Sequence, residues 1–186
     1  MKTRIQIIMI GLLVLSQATM AKSQGGIYKT SGDFTSNKLT DEGSCKIRVH
    51  DFFYRMPTIA VISGGEKHTY KKNELYGFRN CNDEMFRFYK NTEYRIEEAG
   101  NIFIYTKERN IAQSKGYKVV KAYYFSTSAD GDIMPLTIEN LKGAYRTNEK
   151  FLELIDQFFN QGDVNEYDHV HKTFKLNYVY RKSMNL

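Results

Sequence analysis

The sequence contains few of the residues on which most functional signatures depend. Of its 186 residues only two are cysteines, four are histidines and two are prolines, and there is no tryptophan. The two cysteines are not spaced as Cys-x-x-Cys, which excludes a four-cysteine zinc site and a dithiol redox motif. The patterns GxSxG, GxxxxGKS/T, HExxH and GxGxxG are all missing. No activity therefore follows from a motif, and we predict no cofactor.

Long apolar runs are also missing, except near the N-terminus. Two basic residues precede the apolar run Ile5–Leu15, and Thr19 and Ala21 fit the −3 and −1 positions of a signal-peptidase site. The run is shorter than the roughly 20 residues of a membrane-spanning helix. We predict that residues 1–21 are a cleaved signal peptide, that the protein is periplasmic or secreted, and that the mature chain has no transmembrane segment.

The charge of the chain is only mildly basic. Removal of Lys2 and Arg4 with the signal peptide lowers the formal net charge by two, from +6 to +4. The remaining cations are spread along the chain and do not form a block. This distribution does not indicate a nucleic-acid partner.

Residues 45–126 carry the pattern of short strands joined by tight turns. Gly64-Gly65, Asn82-Asp83 and Ala99-Gly100 are typical turn pairs. The segments between them are "KIRVHDFF", "TIAVIS", "KHTYK", "LYGFRN", "MFRFYK", "EYRIEE", "NIFIYTKE" and "YKVVKAYYFS". They predict an antiparallel β-meander, either open or curled into a partial barrel.

Residues 136–183 change to a helical pattern. Three helices are predicted, of which the second is capped by Asn148, carries a broad apolar stripe and ends near Gly162. Strands followed by helices indicate an α+β fold in which the helices pack on the sheet. Without a low-complexity linker, residues 22–186 are predicted to form a single α+β domain.

The phrase "NEYDHVHKTF" raises the question of a metal site. Asp163 and Glu166 resemble a capping box, which predicts that the third helix begins here. In a helix His169 and His171 point to nearly opposite sides, and only Asp168 and His171 lie close enough to share a ligand. Two ligands do not make a metal site, so packing and solvent exposure explain these residues better. A strand here would reopen the question.

A second cluster alternates cations with aromatic rings between residues 78 and 95. Its candidate ligand-binding side chains are Arg79, Arg87, Phe88 and Tyr94. Such a surface can stack rings and hold anionic groups. The alternative, which we prefer, is a sheet that packs aromatic residues on one face and exposes cations on the other.

The two cysteines of the exported chain can form a disulfide. Cys45 and Cys81 lie at the ends of predicted strands that can be neighbours. Closing this loop would stabilise the fold by about 4 kcal/mol in the chain-entropy model. We predict a Cys45–Cys81 disulfide, and the alternative is two separately buried thiols.

Several segments resemble a group of exported Bacteroidota proteins. They include "GIYKTSGDFTSNKL", "GEKHTYKKNELYGFRNC", "FRFYKNTEYRI", "PLTIENLKGAYRTNEKFLELIDQFF" and "YDHVHKTFKLNYVY", and they span nearly the whole mature chain. The resemblance implies an exported, envelope-associated or secreted protein of a Gram-negative cell. No functional residue follows from it.

Two hypotheses of different class remain. The first is a non-catalytic envelope or secreted module that binds a protein, a glycan or a small apolar ligand through an aromatic sheet face. The second is a hydrolase whose site is assembled from His50, His68 and Asp168, which would have to converge in one pocket. The lack of a catalytic motif favours the first.

Overall fold

The computed structural model describes residues 24–44, 46–50, 57–160 and 163–184. The predicted signal peptide, Cys45 and Gly162 lie outside these ranges, as do the side chains of residues 46 and 48–50. The strands and helices are, in chain order, β1 (Gly26–Tyr28), α1 (Ser31–Thr35), β2 (Lys46–His50), β3 (Thr58–Ser63), β4 (Glu66–Lys71), β5 (Gly77–Arg79), β6 (Met85–Tyr89), β7 (Thr92–Ala99), β8 (Phe103–Gln113), β9 (Gly116–Ser126), β10 (Met134–Pro135), α2 (Ile138–Ala144), α3 (Glu149–Phe159), β11 (Tyr167–Asp168), β12 (Thr173–Phe174) and α4 (Lys175–Met184).

Seven of the described strands form an open antiparallel sheet. Its order is β1-β5-β6-β7-β8-β9-β10, and β5 to β9 are consecutive neighbours. The predicted antiparallel meander is confirmed for this part of the chain. The order begins at β1 and ends at β10, so the sheet is not a closed barrel. The mixture of this sheet with helices confirms the α+β class.

The first strands of the predicted meander form a separate small sheet, β2-β3-β4. Gly64 and Gly65 have φ angles of 59° and 89°, which confirms the tight turn between β3 and β4. After β4 a 3-10 turn at Lys72–Glu74 redirects the chain, and β5 pairs with β1 instead of β4. Strand β1 was not predicted, because three residues are too few to show a strand pattern.

The large sheet has one face that we call the helix face. Its cross-strand row runs through Phe78, Phe86, Arg95, Thr106 and Tyr123. The small sheet covers the end with Phe78 and Phe86 through an apolar cluster, and the C-terminal helices cover the end with Tyr123. Arg95 and Thr106 lie between these two covering layers.

The opposite face, which we call the tyrosine face, carries Tyr94, Tyr105 and Tyr124. These residues follow the two-residue alternation of strands, so they point away from the C-terminal helices α2, α3 and α4. The short helix α1 covers part of this face through Phe34, whose ring lies 5.1 Å from that of Tyr76. Both faces of the sheet are therefore largely used for packing.

Helices α2 and α3 agree with the prediction for residues 136–160. The Asn148 side chain accepts a hydrogen bond of 3.0 Å from the Phe151 amide, which confirms the predicted cap of α3. The stripe on α3 packs against Ile104 and Phe125 of the sheet. Its buried members are Phe151, Leu154, Ile155 and Phe159.

The third predicted helix begins twelve residues later than the sequence indicated, because α4 starts at Lys175 and not at Asp163. Before it the chain forms the hairpin β11–β12. The Asp168 carboxylate accepts the amides of Val170 and His171 at 2.9 and 3.0 Å, and Lys172 has a φ of 51°. This local side-chain bonding competes with a helix, so the capping-box prediction was wrong.

Candidate functional site

Strands β8 and β9 extend beyond the rest of the sheet as a two-stranded arm, residues 107–121. Their pairing continues to Gln113↔Gly116, whereas β7 pairs with β8 only up to Arg95↔Thr106. Seven further residues of β8 correspond to about 20 Å of extended chain. Side chains near the tip are exposed, among them Tyr117 at 79%. A two-stranded ribbon is marginally stable in water without a partner.

The length of this arm was not predicted from the sequence. The predicted strand ends at Glu108 with no turn before the next one, whereas in the structure β8 reaches Gln113 and Gly116 has a φ of 118° after the two-residue loop Ser114-Lys115. The polar-apolar alternation on both sides of that glycine could have indicated a hairpin. No local sequence pattern marks the point at which β7 and β8 separate, beyond Arg95↔Thr106.

A groove lies where β7 and β8 separate. It has a volume of about 740 Å³ and lies beside the gap between the two layers that cover the helix face. Its lining residues are Phe86, Asn91, Thr92, Glu93, Arg95, Thr106, Lys107, Glu108 and Lys121. The groove therefore runs into the edge of β8 that β7 no longer covers.

The backbone groups on that edge can be assigned from one hydrogen bond. The Leu136 amide donates to the Tyr123 carbonyl at 3.0 Å, so Tyr123 directs its backbone groups away from β8. In an antiparallel ladder the paired residue Thr106 then points the opposite way, toward β7, and every second residue along β8 does the same. Beyond the end of β7 the outward-facing amides belong to Glu108, Asn110 and Ala112.

The helix-face side of the groove is neutralised by internal ion pairs. The Glu97 carboxylate accepts from Thr106 Oγ1 at 2.6 Å and from Lys121 Nζ at 3.2 Å, and Arg95 Nε lies 3.9 Å away. Burial alone would raise the pKa of Glu97, but these hydrogen bonds and the neighbouring cations outweigh it and hold the pKa below its usual value. This side has little charge left for a ligand.

The tyrosine-face side of the groove is cationic. Lys107 Nζ lies 5.8 Å from the ring centre of Tyr94, and Lys90 Nζ lies 5.0 Å from that of Tyr89. Burial is the main cause that raises the pKa of the Tyr94 hydroxyl, and the charges of Lys90 and Arg109 oppose the rise. Of the cations near Tyr94, Lys107 also lines the groove. Tyr94 itself does not line it, but it lies between two lining residues, Glu93 and Arg95, and so borders the groove on the tyrosine face.

Arg87 has a packing role in the structure. It is 4% exposed, and its guanidinium donates to Tyr105 Oη at 2.9 Å and to the Gly131 carbonyl at 2.8 Å. The rings of Tyr76 and Tyr89 lie on it at 5.3 and 5.6 Å. The guanidinium therefore fastens the loop after β9 to the tyrosine face and is not displayed to solvent.

The other two predicted ligand-binding residues lie elsewhere. Arg79 donates to the Gln24 carbonyl and to Asn37 Oδ1, both at 3.0 Å, so it fastens the N-terminal segment. Phe88 is buried in the apolar cluster beneath the small sheet. The four candidates thus do not form one surface, because strand alternation and layer packing separate them.

The predicted metal and hydrolase residues are also distributed. Asp168 Oδ2 bonds to His171 Nδ1 at 2.7 Å, and His68 Nδ1 bonds to Asp41 Oδ1 at 3.0 Å. His68 lies on β4 and Asp168 on β11, and the side chain of His50 lies outside the described part of the chain. Among the described residues no group of three His, Cys, Asp or Glu side chains is arranged to hold a metal ion.

The comparisons add no relative. No family model matches the chain, and neither the curated proteins nor the solved structures contain a significant match. Within residues 24–44, 46–50, 57–160 and 163–184, no helix has the length and apolar character that crossing a membrane requires. The geometry of the arm and groove is therefore the basis for a functional proposal.

Proposed function

We propose that the chain is an exported, non-catalytic binding module that holds an extended segment of a partner protein along the free edge of β8. The mode of binding is strand addition, in which the partner's backbone pairs with the outward-facing groups of the arm. The signal-like N-terminus supports export, as does the resemblance to exported Bacteroidota proteins.

The observation that carries this proposal is the early end of the β7–β8 ladder. Both strands continue past Arg95↔Thr106, but no described strand follows β8 along its next seven residues. An incoming strand would enter the groove and continue the large sheet in place of β7. Edges of this length are usually shortened, covered or bent away in proteins that do not pair through them.

A protein segment fits better than the other partners expected from the sequence. A glycan or a small apolar ligand would need aromatic rings exposed on a sheet face. Tyr105 on the tyrosine face and Phe88 on the helix face are both buried, so these rings are not available to such a ligand. The groove instead offers backbone donors and acceptors in a row. Each backbone hydrogen bond formed there contributes about 0.5–1.5 kcal/mol, so three outward-facing residues give a useful but reversible affinity.

The alternative of a hydrolase has no comparable geometric support. A hydrolase site would need His68 and Asp168 in one pocket. In the described structure the two lie on different sheets, His68 on β4 and Asp168 on β11, and they are bonded to Asp41 and His171 respectively. Among the described contacts, no hydroxyl or thiol nucleophile is hydrogen-bonded to the imidazole of His68 or to that of His171.

The test is a pair of proline substitutions at facing positions of the arm. Asn110→Pro removes an outward amide from the β8 edge, and Val119→Pro does the same on the opposite edge, since Asn110 and Val119 are cross-strand partners. Neither amide belongs to the ladder between β8 and β9. Peptides selected from a random display library on the unaltered protein are then measured against both variants.

We expect the selected peptides to lose binding to Asn110→Pro and to retain it with Val119→Pro. Circular dichroism of both variants checks that the fold persists. Equal binding to the two variants, an equal loss in both, or a library that yields no binder above background would each contradict the proposal.

A further inference from the structure

The arm carries cations that have no partner of their own. Arg109, Lys115 and Lys118 make no ion pair with any residue in the described segments, and all three are exposed. Between residues 107 and 121 there are five cations and one carboxylate, Glu108. The arm therefore carries a net charge of 5 − 1 = +4 over these residues, although the sequence as a whole is only mildly basic.

Strand alternation decides where these cations meet a bound segment. Lys107, Arg109 and Ile111 follow one another on the tyrosine-face side of β8, whereas Glu108, Asn110 and Ala112 lie on the helix-face side. A strand added beside β8 places its own side chains next to these two rows in turn. On the tyrosine-face side, the side chains of the added strand lie beside two cations and then an apolar residue. On the helix-face side they lie beside an acidic, an amide and an apolar residue in turn.

The two sides of the groove differ in the charge that they present to the bound segment. On the helix-face side, next to the end of β7, Glu97 forms ion pairs with both Lys121 and Arg95. On the tyrosine-face side, Arg109 has no ion pair with any residue that the structure describes, and the described contact of the Lys107 ammonium group is with the ring of Tyr94. Opposite charges on neighbouring strands stabilise a pair by about 0.2–1 kcal/mol, and like charges destabilise it.

We infer that the bound segment carries two carboxylates at alternate positions, beside Lys107 and Arg109, followed at the next alternate position by an apolar side chain beside Ile111. This inference rests on the proposed strand addition and adds the chemistry of the partner to it. A second copy of this chain is a poor occupant, because pairing of two β8 edges brings the same cations to the same side of the ribbon.

The experiment uses synthetic peptides with the two patterns. One is Thr-Glu-Thr-Glu-Thr-Val-Thr, tested together with its reversed sequence, since the direction of the bound strand is open. The control peptides have Lys in place of Glu. Binding is followed by NMR shifts and by hydrogen exchange at the amides of Glu108, Asn110 and Ala112, which strand addition should protect.

We expect an acidic peptide to bind about tenfold more tightly than its lysine counterpart, as two attractive pairs replace two repulsive ones. Arg109→Glu reverses one of these two pairs, so it should weaken binding of the acidic peptide by about threefold. Lys115→Glu is the matched control for net charge, because Lys115 lies in the turn and not along the edge. It should change binding by less than about twofold.

The outcomes separate the two proposals. If acidic and lysine peptides bind equally and protect the Asn110 amide, strand addition stands and the charge pattern is wrong. If Arg109→Glu and Lys115→Glu weaken binding equally, the attraction is general and the pattern is wrong. If the acidic peptide binds Asn110→Pro as well as the unaltered protein, or no peptide binds, both proposals fail for this class of ligand.

Discussion

The side chain of Asn177 pairs with the backbone of Ile102 as a neighbouring strand would. Its Oδ1 accepts the Ile102 amide at 2.9 Å, and its Nδ2 donates to the Ile102 carbonyl at 2.8 Å. The same Nδ2 donates to Glu98 Oε1 at 2.8 Å. Asn177 is fully buried on α4, so it joins the last helix to the turn between β7 and β8.

We predict that Asn177→Leu destabilises the fold by about 3 kcal/mol. The substitution leaves the amide and carbonyl of Ile102 buried without their partner, and each such group costs about 1–3 kcal/mol. Urea unfolding followed by circular dichroism measures the change. Asn101→Leu is the control, because Asn101 lies in the same turn but is exposed. An unchanged midpoint for Asn177→Leu would contradict this role.

The strands β2 to β9 and the helices α2 and α3 could be predicted because their signals are local. The Gly64-Gly65 turn needs positive φ, and the Asn148 cap and the stripe on α3 lie within a few residues of each other. Such features need no knowledge of distant parts of the chain. The strand segments and the position of α3 were predicted for this reason.

The parts that could not be predicted depend on distant contacts. The register of β7 against β8 shifts between Ile96 and Glu98, and no local sequence pattern marks this bulge. This bulge sends Glu98 to Thr173 Oγ1 and to the Phe174 amide, at 2.6 and 2.7 Å. The β11–β12 hairpin in turn uses these bonds, so the late start of α4 and the bulge arise together.

Replacing Arg87 by lysine should destabilise the protein by about 2–3 kcal/mol. Lysine lacks the planar fork that reaches Tyr105 and the Gly131 carbonyl together, and it would leave some of these buried groups unsatisfied. Urea unfolding gives the free energy, and hydrogen exchange should show faster opening of the loop near Gly131. Arg109→Lys, on the exposed arm, should leave stability within about 0.5 kcal/mol of the unaltered protein. Equal stability of the two variants would rule out the packing role of Arg87.

The Asp41–His68 pair should make stability depend on pH near neutrality. The hydrogen bond that the His68 ring donates to the Asp41 carboxylate is the main cause that raises the folded-state pKa of His68 above 6.5. A raised folded pKa means that the pair's contribution is complete below about pH 6.5 and is lost as the pH rises through the folded value. NMR titration of His68 should give a midpoint above 6.5, and Asp41→Asn should lower it. A midpoint unaffected by Asp41→Asn would show that the bond does not form in solution.

We predict that the signal peptide, residues 1–21, is cleaved when the protein is exported, and the mass of the purified protein tests this. The mass of the protein purified from a Gram-negative host should correspond to a chain that begins at Lys22, after cleavage beyond Ala21. Replacing Ala21 by Arg should block the cleavage, because the −1 position requires a small residue. Retention of residues 1–21 in the exported fraction, or absence of the protein from that fraction, would contradict the predicted signal peptide.

The predicted Cys45–Cys81 disulfide has indirect support from the backbone around Gly25. Gly25 lies against the carbonyl oxygens of Ser44 and Arg79, so the segments that carry the two cysteines approach the same residue. Unreduced, denatured protein should therefore take up no iodoacetamide, and reduction should expose two thiols. Replacing both cysteines by serine should lower stability by up to about 4 kcal/mol, as expected for a loop of this length. Alkylation of both thiols without reduction would contradict the predicted disulfide.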